Sequence, residues 1–146
     1  MSARDPKEPT VSNSVSPVVA AVTAWLVPGC GHLLLGRRGR ALIYFVVVGG
    51  LAIIGFLLRG NVFQLHSTDP HPDPFNFLGA LADLGSGIFY YLARFIERGG
   101  PDVSRATGDY GTRFIATAGV VNLLFVLDAY GIASKAAEDA GAAKVE

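Results

Sequence analysis

The feature that most constrains this chain is a stretch without any charged residue, Ala41 to Leu58, with an arginine at each flank. A bilayer core about 30 Å thick is crossed by about 20 mostly apolar helical residues. Three further segments are almost as poor in charge. The four candidate spans are about 16–35, 41–59, 75–94 and 113–132. Because one 146-residue soluble domain cannot surround four such helices with polar partners, the sequence predicts an all-α, polytopic membrane protein with about four transmembrane helices.

The composition supports this fold class and excludes others. Apolar side chains make up 51% of the chain and charged ones only 16%, against roughly 25% charged residues in soluble domains. Twelve basic residues balance twelve acidic ones, so no net charge draws the chain to nucleic acid. The single cysteine, Cys30, excludes an intramolecular disulfide and a four-cysteine zinc site. We therefore expect the lipid bilayer as a partner and do not expect nucleic acid.

The chain divides into one membrane domain and two tails. Residues 1–15 are polar, and their acidic side chains are unlike the start of a signal peptide, so we expect a flexible tail. Residues 16–134 contain all four candidate spans and are expected to form a single transmembrane helical domain. Residues 135–146 are rich in alanine and in charge, which predicts a frayed helical C-terminal tail.

Two of the candidate spans contain helix-breaking residues. Pro28 and the glycines beside it predict a helix to about Val27, a bend and a short continuation to Leu35. That segment either crosses the bilayer with a kink or dips into it as a re-entrant hairpin. The segment 75–94 is diluted by glycine, serine and one aspartate, and it either crosses or lies in the interface. The alternative fold is therefore three spans plus a re-entrant or interfacial helix.

The distribution of arginine predicts an orientation in the inner (cytoplasmic) membrane. The short turn at 36–40 and the connection at 95–112 both carry arginines in or beside them, and positive charge near the spans favours the cytoplasmic face. We therefore expect both loops in the cytoplasm and, with four spans, both termini outside. The residues expected to anchor the cytoplasmic face are Arg37, Arg38, Arg40 and Arg113.

The most specific motif is a glycine-rich turn that contains a proline and a histidine. Its members are Pro28, Gly29, Gly31, His32, Gly36 and Gly39. Glycines permit left-handed dihedral angles and close helix approach, so we interpret the motif as a structural turn at a membrane face. His32 would then hydrogen-bond the carbonyls that Pro28 leaves free. No second histidine or cysteine falls within a span, so we expect neither a metal nor a haem at His32 or Cys30.

The same turn carries a resemblance to known proteins. The run from Leu26 to Arg37, with its Pro-Gly-x-Gly-His core, followed by an apolar helix, is similar to the two-transmembrane-helix domain, in which such a turn joins two helices. The stretch from Tyr110 to Tyr130 resembles a group of uncharacterised bacterial membrane proteins that share this Pro-Gly-x-Gly-His turn. The resemblance implies a small bacterial integral membrane protein, and it carries over no catalytic residue.

Three polar side chains fall inside the apolar segments, namely Asp83, Asn122 and Asp128. An ionisable group there costs about 2.5–3.5 kcal/mol on insertion scales and is a functional hypothesis by default. At a rise of 1.5 Å per residue, Asp83 and Asn122 lie roughly 12 and 15 Å below the same face. We therefore expect a hydrogen bond between them, as helix glue or as a proton or ion relay. Asp128 lies only about 6 Å below that face and is expected to reach water.

Two classes of function follow from these observations. The first is a structural or accessory protein without catalysis, which packs against partner membrane proteins or itself through small residues. The small-residue pairs are Ala20/Ala24, Ala82/Ser86, Gly108/Thr112 and Ala116/Gly119. The alternative is an oligomeric transporter or channel component that uses Asp83 and Asn122, because four short helices cannot enclose a pore alone.

The sequence offers little support for a catalytic or metal site. It contains no phosphate-binding loop, nucleophile elbow or zinc-protease helix. A proline-spaced loop contains His66, Asp69, His71 and Asp73, but its prolines keep it extended and no compact ligand spacing is present. We interpret this segment as a surface loop and expect no catalytic residue, cofactor or metal.

Overall fold

The structure, a computed structural model, describes residues 15–63, 74–96 and 106–143. Within these ranges the chain forms helices joined by turns and short segments, and it contains no strand. The helices are α1 Pro17–Leu26, α2 Cys30–Leu34, α3 Arg38–Leu57, α4 Pro74–Gly85, α5 Ile88–Ile96 and α6 Ala106–Ala142. The predicted all-α class is confirmed for this part of the chain. The predicted tail up to residue 14 and the loop with His66 and His71 lie outside the described residues.

Two helices are long and apolar enough to cross a membrane, namely α3 and the part of α6 from Thr107 to Ala142. The 20 residues of α3 and the 37 residues of α6 correspond to about 30 and 55 Å. In contrast, α1, α4 and α5 have 10, 12 and 9 residues, so none of them reaches across a bilayer alone. The prediction of about four spans is therefore not confirmed, and the structure contains two candidate spans within the described ranges.

The helices α3 and α6 run antiparallel through the centre of the bundle. Just after the end of α3, Gly60 lies against Gly111 of α6, so closely that a side chain on either glycine would overlap the backbone of the other segment. At the start of α3, Nη1 of Arg40 lies 3.3 Å from Oδ2 of Asp128. Small and branched apolar side chains of both helices fill the space between these ends. We refer to the two ends of the bundle as the Gly60 end and the Asp128 end.

The helices α1 and α2 form a helical hairpin, named here the first hairpin. α1 begins at Pro17, whose fixed φ angle suits the first helical turn. After α1 the chain turns at Gly29, which has a φ of 85°, a conformation that favours glycine. α2 then folds back along α1, because Gly31 has no side chain and lies directly against the carbonyl of Ala20. The predicted order of helix, bend and short continuation is confirmed.

The helices α4 and α5 form a second hairpin. Its turn lies at Ser86 and Gly87, and Gly87 has a φ of 63°. α4 runs from the Gly60 end toward the middle of α6, where the carbonyl of Ala82 lies against Gly119. α5 returns to the Gly60 end, where Ala93 packs with buried apolar residues that follow α3 and begin α6. The segment 75–94, expected either to cross the bilayer or to lie in the interface, is thus broken into two helices of opposite direction.

The two hairpins reach the middle of the bundle from opposite ends. In the first hairpin, Ala20 near the start of α1 lies beside Gly31. The next residue, His32, contacts Asp128, so α1 starts at the Asp128 end and runs toward the middle of the bundle. The second hairpin runs toward the middle from the Gly60 end. The two tips meet where the carbonyl of Trp25 lies directly against Gly87, which leaves no room for a side chain at that glycine.

This arrangement corrects the expected relation between two arginine-rich segments. The turn at 36–40 lies at the Asp128 end, whereas Gly111, in the last part of the 95–112 connection, lies at the Gly60 end. The expectation that both segments share one face does not hold for the described residues, because the second hairpin returns to the end where it began. In addition, α6 starts inside the predicted connection and continues through most of the predicted C-terminal tail.

The outer surface of the bundle is rich in large apolar side chains, and a few polar side chains are buried inside. Large apolar side chains are exposed around the bundle, for example Leu57 at 78%, Phe75 at 77% and Leu127 at 66%. Among the described residues, four polar ones have 0% exposure, namely His32, Asp83, Ser86 and Asn122, and they lie in an interior that is otherwise apolar. In water such an outer surface would be a large unfavourable apolar area.

Candidate functional site

The first group of polar contacts lies at the junction of the two hairpin tips, which we name the central junction. Asn122 of α6 donates from Nδ2 to the carbonyl of Gly85 at 2.9 Å and to the carbonyl of Trp25 at 3.2 Å. These carbonyls belong to the last turns of α4 and α1, where the helix itself provides no donor. One amide group therefore caps the C-terminal ends of both hairpin arms.

The indole of Trp25 makes a further bond across the central junction. Its Nε1 donates to the carbonyl of Leu84 at 3.0 Å, so another carbonyl at the end of α4 has a donor. Gly87 allows this close approach because it has no side chain to overlap the Trp25 carbonyl. The junction therefore consists of two helix ends, each fixed by a side chain that comes from outside its own hairpin.

Asp83 lies in α4 on the side that faces the segment after α3. Its Oδ2 accepts a hydrogen bond from the backbone N–H of Phe63 at 2.6 Å, and its own carbonyl accepts one from Oγ of Ser86 at 2.6 Å. The expected side-chain bond between Asp83 and Asn122 is not formed, because the amide nitrogen of Asn122 donates to the two helix-end carbonyls instead. Both residues are buried, as expected, but Asp83 bonds the backbone after α3 and the Asn122 amide nitrogen bonds the backbone of the two hairpins.

The second group of polar contacts closes the Asp128 end of the bundle, and we name it the Asp128 cluster. Oδ2 of Asp128 accepts from Nε2 of His32 at 2.9 Å, from the hydroxyl of Tyr44 at 3.1 Å and from Nη1 of Arg40 at 3.3 Å. His32 is fully buried, whereas the Asp128 side chain is 38% exposed. The cluster joins α2, α3 and α6 through one carboxylate oxygen.

Aromatic contacts hold the cluster in place. The ring of Tyr44 stacks on Phe125 of α6, with 3.7 Å between the ring centroids and an interplanar angle of 6°. The His32 ring meets the same tyrosine edge-on at 4.6 Å and 88°. Edge-to-face and stacked pairs are favourable ring geometries, so the two rings fix the direction in which the hydroxyl and the imidazole point.

One prediction about this end of the molecule is wrong and one is incomplete. His32 was expected to bond the carbonyls near Pro28, and Asp128 was expected to reach water, which its 38% exposure allows. Instead the two side chains bond each other across 96 positions of sequence. Spacing gives a partial signal for the cluster, because Arg40 and Tyr44 are four residues apart on α3 and so share a helix face.

The remaining residues of the predicted turn motif differ in how tightly they are packed and in their backbone conformation. Pro28 is fully buried in the bend, and Gly29 lies directly against the carbonyl of Ala41 at the start of α3. Gly36 ends α2 with a φ of 74°, in a turn where the N–H of Arg37 donates to the carbonyl of His32. No atom lies within 4 Å of the place that a Cβ would occupy at Gly39, so no close contact requires glycine there.

The predicted anchoring arginines separate into two groups. Arg37, Arg38 and Arg40 are exposed at the Asp128 end. Arg113 is exposed near the Gly60 end, where its Nη2 bonds Oδ2 of Asp109 at 3.0 Å. These four residues therefore do not mark a single face of the bundle.

The small residues expected to bind partners are used inside the molecule. Ala20 and Ala24 are fully buried, with Gly31 against them, and Gly119 lies against the backbone of α4. The hydroxyl of Thr112 bonds the carbonyl of Gly108 within α6 and accepts from the N–H of Asn61. Large aliphatic side chains form the outer surface instead.

The chemistry available in these two groups is that of hydrogen bonding and charge neutralisation. In the described ranges no three histidine, cysteine, aspartate or glutamate side chains come together in a way that could hold a metal ion. The Asp128 oxygen is surrounded by three donors, and Cys30, which is partly buried, is the free thiol of the chain. Through these bonds the two groups tie the helices together.

The comparisons with known proteins give a family and nothing more. No curated protein and no solved structure matches the chain. One family model, described as a family of unknown function, matches residues 19–140, a range that contains both hairpins and both long helices. The chain therefore belongs to the DUF6677 family.

Proposed function

We propose that this protein is a multi-pass protein of the bacterial inner membrane in which α3 and α6 cross the bilayer. The observation that carries this proposal is the apolar outer surface, with large leucine and phenylalanine side chains exposed around the bundle while Asn122, Asp83 and His32 are buried. The lengths of α3 and α6 support it, because each is at least as long as the hydrocarbon core is thick.

The two hairpins re-enter the bilayer from opposite faces. Broken helices are tolerated at membrane depth only where protein or water satisfies their free backbone groups. The central junction meets this requirement, because Asn122 and Trp25 supply donors to the ends of α1 and α4. Asn122 lies six residues before Asp128 on α6, which corresponds to about 9 Å of depth. The predicted alternative had three spans plus a re-entrant or interfacial helix, whereas the proposed topology has two spans and two re-entrant hairpins.

The Asp128 end faces the cytoplasm. It carries Arg37, Arg38 and Arg40, and the start of α1 and the end of α6, which contains Lys135, lie on the same side. The Gly60 end, with Arg59, Arg94 and Arg113, faces outward. The turn at 36–40 keeps its expected location, whereas the start of α1 and the end of α6 move to the cytoplasmic side because the hairpins do not cross.

Cysteine labelling separates this topology from four spans. In a Cys30→Ser background, single cysteines at Gly39, Gly141 and Thr107 occupy exposed positions. We expect a membrane-impermeant maleimide added to intact spheroplasts to label only the Thr107 variant, with all three labelled after lysis. With four spans, the Gly141 variant would be labelled from outside and the Thr107 variant would not, which would refute the re-entrant topology.

The role that this geometry supports best is structural or accessory, through packing with partner membrane proteins or with a second copy. The polar groups at the central junction hold helix ends together. The exposed stripe of Val120, Leu124 and Leu127 on α6 offers an apolar face of 48–66% exposure for a partner helix. Van der Waals packing drives such association within lipid.

Crosslinking tests this role. A photoreactive residue at Leu124 should give a discrete crosslinked band in native membranes, and the same residue at Ile53, 54% exposed on α3, is the matched control. Purification in mild detergent followed by mass spectrometry would then identify the partner or a second copy. A monomer that carries no other protein and gives no crosslink at either position would contradict the accessory role.

A second candidate is a transporter or channel component. It is favoured by two fully buried atoms, Oδ1 of Asn122 and Nδ1 of His32, which have no hydrogen-bond partner among the described residues. Half-helix ends near the midplane line ion and substrate paths in transporters. The test is proton, sodium or potassium flux in proteoliposomes that contain the unmodified protein or Asp83→Asn. A decrease in flux in Asp83→Asn that is larger than the decrease in its folded fraction would support this role. An absence of flux in the unmodified protein would remove it.

A further inference from the structure

A groove of about 290 Å³ opens on the side of the bundle at the Asp128 end, between the bend after α1 and the first two turns of α3. Its walls are apolar and come from Val27, Leu33, Leu42 and Phe45, and Cys30 is also a lining residue. Leu33, Leu42 and Phe45 are 46–65% exposed, so the groove is continuous with the outer apolar surface. This apolar lining suits a hydrocarbon chain.

One charged side chain, Arg38, also lines this groove. Arg38 and its exposed neighbour Arg37 form no ion pair with any residue that the structure describes, whereas Arg40 is neutralised by Asp128. Unneutralised positive charge therefore lies beside an apolar channel at the level where the chain leaves the bilayer in the proposed topology. Arginine at that level attracts anionic headgroups.

We propose that this groove binds one anionic phospholipid of the cytoplasmic leaflet. An acyl chain lies against Leu33, Leu42 and Phe45, and the phosphate lies at the Arg38 guanidinium. This inference rests on the proposed membrane location and adds a lipid of defined charge at a defined place. One arginine near an anionic surface changes binding by about fivefold, so phosphatidylglycerol should be preferred over phosphatidylcholine by about that factor.

Cys30 gives a direct readout, because it is the single cysteine of the chain and lines the groove. The full chain in detergent micelles is treated with N-ethylmaleimide, and the alkylation rate is compared with the rate in denaturing detergent. Phosphatidylglycerol should slow alkylation at concentrations about fivefold lower than phosphatidylcholine requires. The Arg38→Gln variant should lose this preference, and Arg94→Gln, an exposed arginine on α5, should keep it.

Two further arms separate the proposal from its rivals. Glycerol 3-phosphate, which has the headgroup chemistry without a chain, should give no protection, and equal protection would refute an acyl-chain site. Leu42→Trp should fill the groove and slow alkylation without any lipid. Native mass spectrometry should detect one bound phosphatidylglycerol in the unmodified protein and less in Arg38→Gln.

The outcomes also distinguish a failure of this inference from a failure of the proposed membrane location. If the protein needs detergent for solubility but both lipids protect Cys30 equally, or Arg38→Gln leaves the preference intact, the specific site is refuted and the membrane location stands. If the protein is soluble and monodisperse without detergent, the membrane location itself is refuted.

Discussion

The strongest test of this fold is the replacement of Asn122 by leucine. The two side chains are close in size, so Asn122→Leu removes the amide without leaving a large cavity. It withdraws the donors from the carbonyls of Trp25 and Gly85, which end α1 and α4 at the central junction. Hydrogen bonds within membranes average about 0.6 kcal/mol and reach about 1.7 kcal/mol, so we expect the two lost bonds to cost about 1–3 kcal/mol.

The measurement is reversible unfolding of the purified protein in mixed micelles of increasing denaturing detergent. Trp25 is the single tryptophan of the chain and lies at the junction, so its fluorescence reports on the structure that the substitution disturbs. A loss of 1–3 kcal/mol lowers the ratio of folded to unfolded protein by about 5-fold to 150-fold. Leu124→Ala, 59% exposed on the same helix, is the matched control and should change this ratio much less.

A leucine variant as stable as the unmodified protein would refute the argument that Asn122 holds the two hairpin ends. Trp25→Phe provides a second test, because it removes the bond to the Leu84 carbonyl at the same junction. This variant contains no tryptophan, so its unfolding and that of the double variant are followed by far-UV circular dichroism, with the unmodified protein and Asn122→Leu measured in the same way. If the two residues stabilise one unit, the double variant should deviate from additivity by at least about 0.5 kcal/mol.

Three other contacts can be tested in the same detergent system. Gly119→Ala places a methyl group against the backbone of α4 and should lower the free energy of unfolding by about 1–3 kcal/mol. The control Gly131→Ala, at a glycine with no neighbour within 4 Å, should be neutral or stabilising by up to about 1 kcal/mol. Equal unfolding midpoints for the two variants would contradict the packing of Gly119 against α4. Asp128→Asn weakens an acceptor shared by three donors and should lower the free energy of unfolding by about 1–3 kcal/mol. The control Asp109→Asn, in an exposed ion pair on the same helix, should lower it by no more than about 0.5 kcal/mol. Gly31→Val should abolish accumulation in membranes, measured by immunoblot, since α2 could not lie against α1, and normal accumulation would show that this contact is dispensable.

Local features of the fold could be predicted well from the sequence. The charge-free stretch at 41–58 corresponds to α3, which runs from Arg38 to Leu57. The bend at Pro28 and Gly29 is present where proline and glycine predict it, because each acts on its own backbone and needs no distant partner.

The long-range arrangement could not be predicted in the same way. Apolar length fits a full span and a hairpin equally well, so the return of α5 depends on contacts such as Gly87 against Trp25, which are remote in sequence. The Asp128 cluster was missed for the same reason, since His32 and Asp128 are 96 positions apart. Depth alone placed Asp83 beside Asn122, but it gave no information on which way each side chain faces around its helix.

The double cap provided by Asn122 has a mechanical consequence. One amide bonds the two hairpins, which come from opposite ends of the bundle, so neither tip can withdraw without releasing its share of the same donor. A rotation of α6 by a fraction of a turn would therefore disturb both halves together. In the proposed topology, a change in bilayer thickness should likewise displace the two hairpins together.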